Sequence, residues 1–291
     1  MNNEFKEPSD ILLAYFVHMD SAPVGEGAVF ADDRAKERHE SLLIYSLRKY
    51  QAASYHFENV RRLLAVEPPD SISTNVFDGF SHPHGRATAK FFAYTQADRF
   101  IYELAAFLEA AKSSLDFLAT ASLAYFRGIQ GDSIRTLIRL ADQPLTAREG
   151  PILDAVKRHL SWLKQLREYR HHLVHRMVIS ASTGQELHKR DDCVMKIEHP
   201  VVVPETTPSY LPDTRLSRLM EEHPRGLDMS WRMATAKNAD GTEKVIDFSV
   251  NYQPSTGYVE ISEFMASHFT LLGTFISEVV ADIGNLNFKK L

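Results

Sequence analysis

The feature that most constrains the fold is residues 88–127, a long stretch that contains no glycine and no proline. Within it, small and apolar residues recur at alternating steps of three and four. The members of this stripe are Ala97, Ile101, Leu104, Leu108, Ala111, Leu115, Leu118, Ser122 and Tyr125. Such spacing puts all of them on one face of a helix. The stretch therefore predicts one long helix with the kind of seam that packs against other helices in a bundle.

Three further stretches have helical periodicity. We expect a first long helix at about 35–66, which the "PPD" at 68–70 ends, and a loop from 66 to 86. A third helix, about 151–180, starts at Pro151, and a fourth covers about 262–286. A shorter helix is predicted for residues 131–142.

The region between the third and fourth long helices, 181–261, has a different composition. It is rich in β-branched residues, and "NADG" and "QPSTG" supply turn residues, so 245–252 and 257–261 are predicted to form a hairpin. The resulting prediction is a mostly α protein. A four-helix-bundle core and a strand-containing insertion between its third and fourth helices form a single domain, 1–291.

Composition favours a cytoplasmic protein without a membrane span. The first residues are polar, "ILLAYFV" is far shorter than the about 20 residues of a span, and Cys193 is the single cysteine. The net charge of −5 argues against a protein that coats nucleic acid through its general surface charge. We expect no metal and no cofactor, because "SHPHG" lacks further ligands nearby and no glycine-rich phosphate loop is present.

The segment "LREYRHHLVHRMV", residues 166–178, carries an arginine inside an apolar stripe. On a wheel of about 100° per residue, Arg170 falls among the leucines of that stripe. A buried guanidinium needs a carboxylate, a phosphate or access to water. Glu109 and Asp116, one heptad apart on the second long helix, are the candidate carboxylates, although Lys112 between them could be their partner instead.

The pattern in "YRHHLVHR" resembles the HEPN family (higher eukaryotes and prokaryotes nucleotide-binding), whose motif is Arg, a polar residue, three variable residues and His. Arg170, His171 and His175 match these positions. The other frame, Arg167 with His172, fits less well because it puts the histidine away from Arg170. The resemblance implies metal-independent RNA cleavage at a site formed by two copies of the motif in a homodimer. Glu109 or Asp116 would be the supporting acidic residue.

The chemistry of these side chains fits that reaction. His175 would transfer protons, because an imidazole titrates near neutral pH, and Arg170 would bind the scissile phosphate with its planar fork. His171 would orient His175 or bind phosphate. Arg167 and Arg176 would add phosphate contacts in a basic strip, since six Lys or Arg and one acidic residue lie between residues 157 and 176.

Three functions remain open at this point. The first is a ribonuclease that acts on RNA as a toxin with an antitoxin partner, or as an effector of antiviral defence. The second is a non-catalytic helical module that binds a nucleotide or a protein. The third is a structural dimerising bundle in which Arg170 only pairs with a carboxylate. The helix aromatics are predicted to be core residues rather than a base-stacking platform: Phe100, Phe107, Phe117, Phe269 and Phe275.

Overall fold

The computed structural model describes residues 7–65, 75–82, 85–93, 97–142, 149–175, 184–190, 193–199, 201–205, 227–286 and 288, some of them by their backbone alone. Within these ranges the chain is mostly helical, with seven helices and a smaller amount of sheet. The helices are α1 Pro8–Met19, α2 Asp33–Ala65, α3 Ala97–Ser122, α4 Ile134–Asp142, α5 Pro151–Arg158, α6 Leu160–His175 and α7 Ile261–Asn285. A single turn of 3-10 helix, Leu123–Tyr125, follows α3.

The strands form three antiparallel groups. They are β1 Asn75–His82, β2 Gly85–Ala93, β3 Gly184–Arg190, β4 Cys193–His199, β5 Val202–Pro204, β6 Leu227–Lys237, β7 Glu243–Pro254 and β8 Tyr258–Glu260. The first four make one sheet in the order β1-β2-β3-β4, while β5 pairs with β8 and β6 with β7. The sheet therefore joins a hairpin between α2 and α3 to a hairpin that follows α6.

The predicted start of the second long helix at residue 88 is wrong. Residues 88–93 belong to β2, and α3 begins only at Ala97. In β2, Phe91 is paired with Asn75 on one side and with Glu186 on the other. Aromatic residues favour strands, and the absence of glycine and proline permits a helix without requiring one. The predicted loop at 66–86 is wrong for the same region, because β1 lies within it.

The predicted third helix, 151–180, is interrupted. Pro151 opens α5 as expected, but α5 ends at Arg158 and α6 begins at Leu160. His159 between them has φ −100° and ψ 8°, and its carbonyl accepts a hydrogen bond from the Leu163 N–H at 2.9 Å. Helical hydrogen bonding thus resumes after one irregular residue. Residues 176–180 lie outside the described ranges.

The predicted hairpin between 245–252 and 257–261 is also wrong in its pairing. The "NADG" sequence joins β6 to β7, with Gly241 at φ 85° and an Asn238 N–H to Thr242 carbonyl bond of 2.7 Å. The left-handed φ suits glycine because it has no Cβ. "QPSTG" instead leads from β7 to β8, which pairs with β5. Both turns were recognised in the sequence, but strand β6 before "NADG" was not, and β8 pairs with β5, which lies far earlier in the chain.

Contacts divide the chain into two compact units. One contains Met1–Glu58, Leu104–Met177 and Met265–Leu291, and the other contains Asn59–Glu103 and Val178–Phe264. The single domain expected for residues 1–291 stays a prediction. The first unit holds the stripe residues of α3 from Leu104 onward, and each of these is at most 1% exposed.

Helices α2 and α3 approach closely at two buried serines of the first unit. The Ser46 hydroxyl donates to the Ser114 carbonyl at 2.9 Å, and the Ser114 hydroxyl donates to the Ser46 carbonyl at 2.8 Å. Both side chains are at most 1% exposed. Small residues at this crossing allow the two backbones to lie near each other, and each hydroxyl has a hydrogen-bond acceptor.

We expect substitutions of Ser114 to destabilise the protein in proportion to their size. Ser114→Ala should cost about 1 kcal/mol through the lost hydrogen bond, and Ser114→Leu about 1–3 kcal/mol more through overpacking. Urea denaturation measures both, with Ser41→Ala, an exposed serine of α2, as the control. If Ser114→Leu is as stable as the parent, the two helices do not meet at this position.

Helix α7 is long and apolar enough to cross a membrane, and among the described residues it is the one helix that meets this criterion. Half of its 18-residue apolar window is buried within the protein. The core helix of a protein that enters no membrane meets the same criterion.

Candidate active site

Helix α6 positions the residues of the Arg and His motif. Its buried residues are Trp162, Leu163, Leu166 and Tyr169. Trp162 and Tyr169, which the leucine pattern had not singled out, widen the buried stripe on the side away from Arg170. Arg170 lies between Leu163 and Leu166 on the helical wheel, yet 24% of its side chain is exposed. The structure therefore gives this arginine access to solvent rather than a place in a sealed core.

Arg170 is paired with Glu109 of α3. Its Nε donates a hydrogen bond to Oε2 of Glu109 at 2.6 Å, and the carboxylate side chain is 49% exposed. Among the described residues, neither terminal amino group of Arg170 has a hydrogen-bond partner. Glu109 thus fixes one edge of the guanidinium, and a half-exposed pair of this kind contributes little to stability, about 0–1 kcal/mol.

Asp116, the other acidic candidate on α3, has different partners. Its carboxylate forms an ion pair with Lys112 at 2.5 Å, one helical turn away. Its Oδ1 also accepts a hydrogen bond of 3.0 Å from the backbone N–H of Ile134, the first residue of α4. An acceptor at this place satisfies a donor that the start of a helix leaves unpaired. The described contacts of Asp116 therefore hold α4 in place and do not include Arg170.

The histidines lie at the carboxyl-terminal end of α6. His171 follows Arg170 and is exposed, and His175 is the last residue of the helix, so their backbones are one turn apart. The side chain of His175 lies outside the part of the chain that is described, as does Arg176. Arg167, one turn before His171, is half-buried. The structure thus brings Arg170 and Glu109 together, while the relation of Arg170 to His175 stays a prediction.

A second charged cluster, which sequence reasoning missed, lies where α5 meets α6. Glu278 of α7 accepts hydrogen bonds from Arg158 at 2.8 Å and forms an ion pair with His159 at 3.3 Å. Burial of Glu278 opposes its ionisation, but the hydrogen bonds from Arg158 and His159 outweigh this and lower its pKa. The basic residues were visible in the sequence, whereas their acidic partner is more than a hundred residues away along the chain.

Two buried histidines also escaped the sequence analysis. His39 of α2 is 2% exposed, and its Nε2 lies 3.0 Å from the hydroxyl of Tyr15, which in turn lies 2.8 Å from the hydroxyl of Tyr125. His268 of α7 is 6% exposed and accepts a hydrogen bond of 2.9 Å from Nε1 of Trp162. Burial lowers the pKa of each to about 4. His39 lies four residues before Leu43 on the same helical face. This spacing could have predicted from the sequence that His39 is buried.

Neither the search for metal ligands nor the comparison with known proteins adds a residue to the candidate site. Within the described ranges no group of three or more His, Cys, Asp or Glu side chains is placed to hold a metal ion. The HEPN resemblance rests on Arg170, His171 and His175 as they stand in the sequence. No family model, no curated protein and no solved structure matches this chain.

Proposed function

We propose that this chain is a HEPN-like, metal-independent endoribonuclease. In this proposal α2, α3, the α5–α6 pair and α7 make the four-helix core, and residues 181–261 are its insertion. The biological role would be that of a toxin with an antitoxin partner or of an antiviral-defence effector in the cytoplasm. The site would be completed by a second copy of α6 in a homodimer.

The observation that carries the proposal is the Arg170–Glu109 pair. A carboxylate of the preceding long helix holds Nε at 2.6 Å, and 24% of the arginine side chain remains exposed. The two terminal amino groups, which have no partner among the described residues, can then donate to two oxygens of one phosphate. A carboxylate that fixes an arginine lowers the entropy lost when the phosphate binds.

The reaction requires a base, an acid and positive charge at the phosphate. The 2′-hydroxyl of the RNA loses its proton to a base and attacks phosphorus, and the bond from phosphorus to the 5′-oxygen breaks. A proton delivered to that oxygen gives a 5′-hydroxyl, and the other product is a 2′,3′-cyclic phosphate. His175 supplies the acid or base, Arg170 binds the charged phosphate, and His171 orients His175. Arg167 and Arg176 would hold neighbouring phosphates.

Cleavage of labelled RNA in the presence of a chelator tests this assignment. We expect Arg170→Ala and His175→Ala each to lower the cleavage rate about a hundredfold, because each removes a group needed in the transition state. Lys49→Ala and His18→Ala, two exposed residues on α2 and α1, are the matched controls for loss of a positive charge and of an imidazole. Circular dichroism verifies that every variant folds.

Two results would overturn the ribonuclease. One is cleavage by folded Arg170→Ala and His175→Ala proteins at the parent rate. The other is cleavage that the chelator abolishes while these substitutions leave it unchanged, which would indicate a metal-dependent nuclease. Expression in bacteria adds a simple comparison, since growth inhibition by a toxin should disappear with His175→Ala.

One observation favours a second candidate, a non-catalytic helical module that binds a nucleotide or a protein. Glu109 already balances the charge of Arg170, so the pair is stable without any ligand. For such a module, the parent protein would bind a labelled oligonucleotide or a protein without cleaving RNA, and His175→Ala would leave growth unaffected.

A further inference from the structure

A groove of about 400 Å³ lies in the second unit, between the carboxyl-terminal part of α2 and the amino-terminal part of α3. A volume of this size suits a small organic molecule. The lining combines positive and negative charge, an amide, an aromatic ring and an aliphatic side chain. Its members, all of which belong to the second unit, are Asn59, Arg62, Leu63, Arg99, Tyr102 and Glu103.

Two arginines make the groove attractive to an anion. Arg62 of α2 and Arg99 of α3 are both exposed, and neither guanidinium has an ion pair or a hydrogen bond with any described residue. Glu103 is the one acidic side chain of the lining, so positive charge exceeds negative charge there. Guanidinium groups bind oxyanions through several parallel hydrogen bonds, and a phosphate has enough oxygens for both arginines.

The carboxylate of Glu103 is held in place by Asn59. The side-chain nitrogen of Asn59 donates to both carboxylate oxygens of Glu103, each at 3.2 Å, and this contact is partly buried. Because a carboxylate has about four acceptor positions, Glu103 can accept further hydrogen bonds from a ligand. A ligand that suits this groove therefore carries hydroxyl donors as well as an anionic group, and ribose hydroxyls are donors of this kind.

Tyr102 gives the groove an open aromatic face. Its side chain is 67% exposed, and its ring contacts no other ring among the described residues. Leu63, which is half-buried, adds an apolar surface to the same groove. Every nucleobase has a flat face that stacks on an aromatic side chain, whatever its sequence. The groove thus offers one contact for each of the three parts of a nucleotide.

We propose that this groove binds a ribonucleotide, either free or as one unit of an RNA strand. The phosphate pairs with Arg62 and Arg99, the base stacks on Tyr102, and a ribose hydroxyl donates to Glu103. Glu103 favours this ligand over a phosphotyrosine side chain, whose ring has no hydroxyl donor to offer. The site goes beyond the proposed ribonuclease and uses none of its residues.

Calorimetric titration with three probes separates these contacts. The probes are adenosine 5′-monophosphate (AMP), adenosine, which lacks the phosphate, and ribose 5-phosphate, which lacks the base. In the parent protein AMP should bind at least about tenfold more tightly than either of the other two, because only AMP engages both the arginines and the tyrosine.

Substitutions in the groove should weaken the probes selectively. Arg62→Gln and Arg99→Gln should each weaken AMP and ribose 5-phosphate about tenfold and leave adenosine unchanged. Tyr102→Ala should weaken AMP and adenosine about tenfold and leave ribose 5-phosphate unchanged, whereas Tyr102→Phe keeps the ring and should bind like the parent. Arg139→Gln and Tyr55→Ala, at exposed positions outside the groove, are the matched controls.

A single-stranded RNA of five adenosines distinguishes the two sources of the ligand. If the groove holds one unit of a strand, this RNA should bind more tightly than AMP, and Tyr102→Ala should weaken both. If the groove holds a free nucleotide, AMP should bind at least as tightly as the RNA.

Three results would overturn the proposal. The first is the absence of saturable AMP binding to the parent protein through the millimolar range. The second is AMP binding that Tyr102→Ala or both arginine substitutions leave unchanged, because the nucleotide would then occupy another place. The third is tighter binding of phosphotyrosine than of AMP, which would indicate a phosphopeptide. None of these results bears on the roles of Arg170 and His175, so this site and the ribonuclease can fail separately.

Discussion

The first unit should lose about 6 kcal/mol of stability when the pH falls from 7 to 4, about 3 kcal/mol for each of two buried histidines. His39 and His268 have folded-state pKa values near 4, against an ordinary value of 6.5 that applies when the chain is unfolded. Between these two pH values the unfolded chain binds more protons than the folded one. The stability that these two histidines contribute is therefore fully present above pH 6.5 and is lost as the pH falls toward 4.

The contacts of each ring explain why protonation is so unfavourable. Nδ1 of His268 accepts the N–H of Trp162, an obligate donor, so a proton on Nδ1 would break that bond and leave two buried donors facing each other. Around His39, the described neighbours are the hydroxyl of Tyr15, the rings of Phe30 and Tyr125 and the backbone carbonyl of Ala121, and none of them is a carboxylate. An imidazolium at His39 would be a buried charge with no carboxylate among these described neighbours.

Fluorescence of Trp162 during urea denaturation measures this loss, because Trp162 belongs to the first unit and Trp231, the other tryptophan, can be replaced by phenylalanine. We expect the free energy of unfolding to fall steeply between pH 6.5 and pH 5, and His39→Gln and His268→Gln each to reduce that slope by about half. His18→Gln, at an exposed position of α1, should leave the slope unchanged.

Carboxylates affect the same measurement mainly at lower pH. Burial raises the pKa of Asp282, so its protonation stabilises the fold as the pH falls, while the lowered pKa of Glu278 acts in the opposite sense. The interval from pH 6.5 to 5 therefore reports chiefly on the histidines. A slope in that interval that survives both glutamine substitutions would show that other groups cause the acid sensitivity.

The features of the fold that could be predicted from the sequence are those that appear as periodicity within one helix. The apolar seam of α3 and of the 3-10 turn after it could be predicted because its members from Leu104 to Tyr125 recur at helical spacing, and each of them is buried. Strand β2 was missed although it pairs with β1 and with the distant β3, and the break at His159, which contacts Phe275 and Glu278 of α7, was missed as well. Local pattern constrains which face is apolar, while pairing between segments is set by tertiary contacts.

The candidate site was predictable to a similar extent. The argument that a half-buried Arg170 needs an anionic partner, and that Glu109 or Asp116 could provide it, used only charge and helical spacing. The choice between them could not be made from the sequence, since both carboxylates lie on the same flank of α3, one heptad apart. The choice depends on the position along α3 at which α6 packs. At that position Glu109 contacts Arg170, whereas Asp116 binds Lys112 and the start of α4.

Phe275→Ala should destabilise the first unit by about 3–5 kcal/mol, the usual cost of removing a fully buried aromatic ring. Phe275 is 0% exposed on α7, and its ring centroid lies 5.4 Å from that of His159 and 6.2 Å from that of Trp162. It therefore packs where α5 meets α6. The substitution would remove this contact and leave a cavity next to the Trp162–His268 hydrogen bond.

A conservative variant and an exposed control make the prediction specific. Phe275→Leu keeps most of the volume and should cost about 1 kcal/mol. Leu13→Ala, at a position 66% exposed on α1, should change stability by less than about 0.5 kcal/mol. Urea denaturation followed by Trp162 fluorescence in the Trp231→Phe background compares all three.

The same measurement bears on the role of α7. A loss of several kcal/mol for Phe275→Ala in aqueous buffer would mean that this face of the helix is stabilised by contacts within the protein. If Phe275→Ala costs no more than Leu13→Ala, α7 does not pack on the junction of α5 and α6. The apolar length of α7 would then need another apolar environment, and a membrane would be the next one to examine.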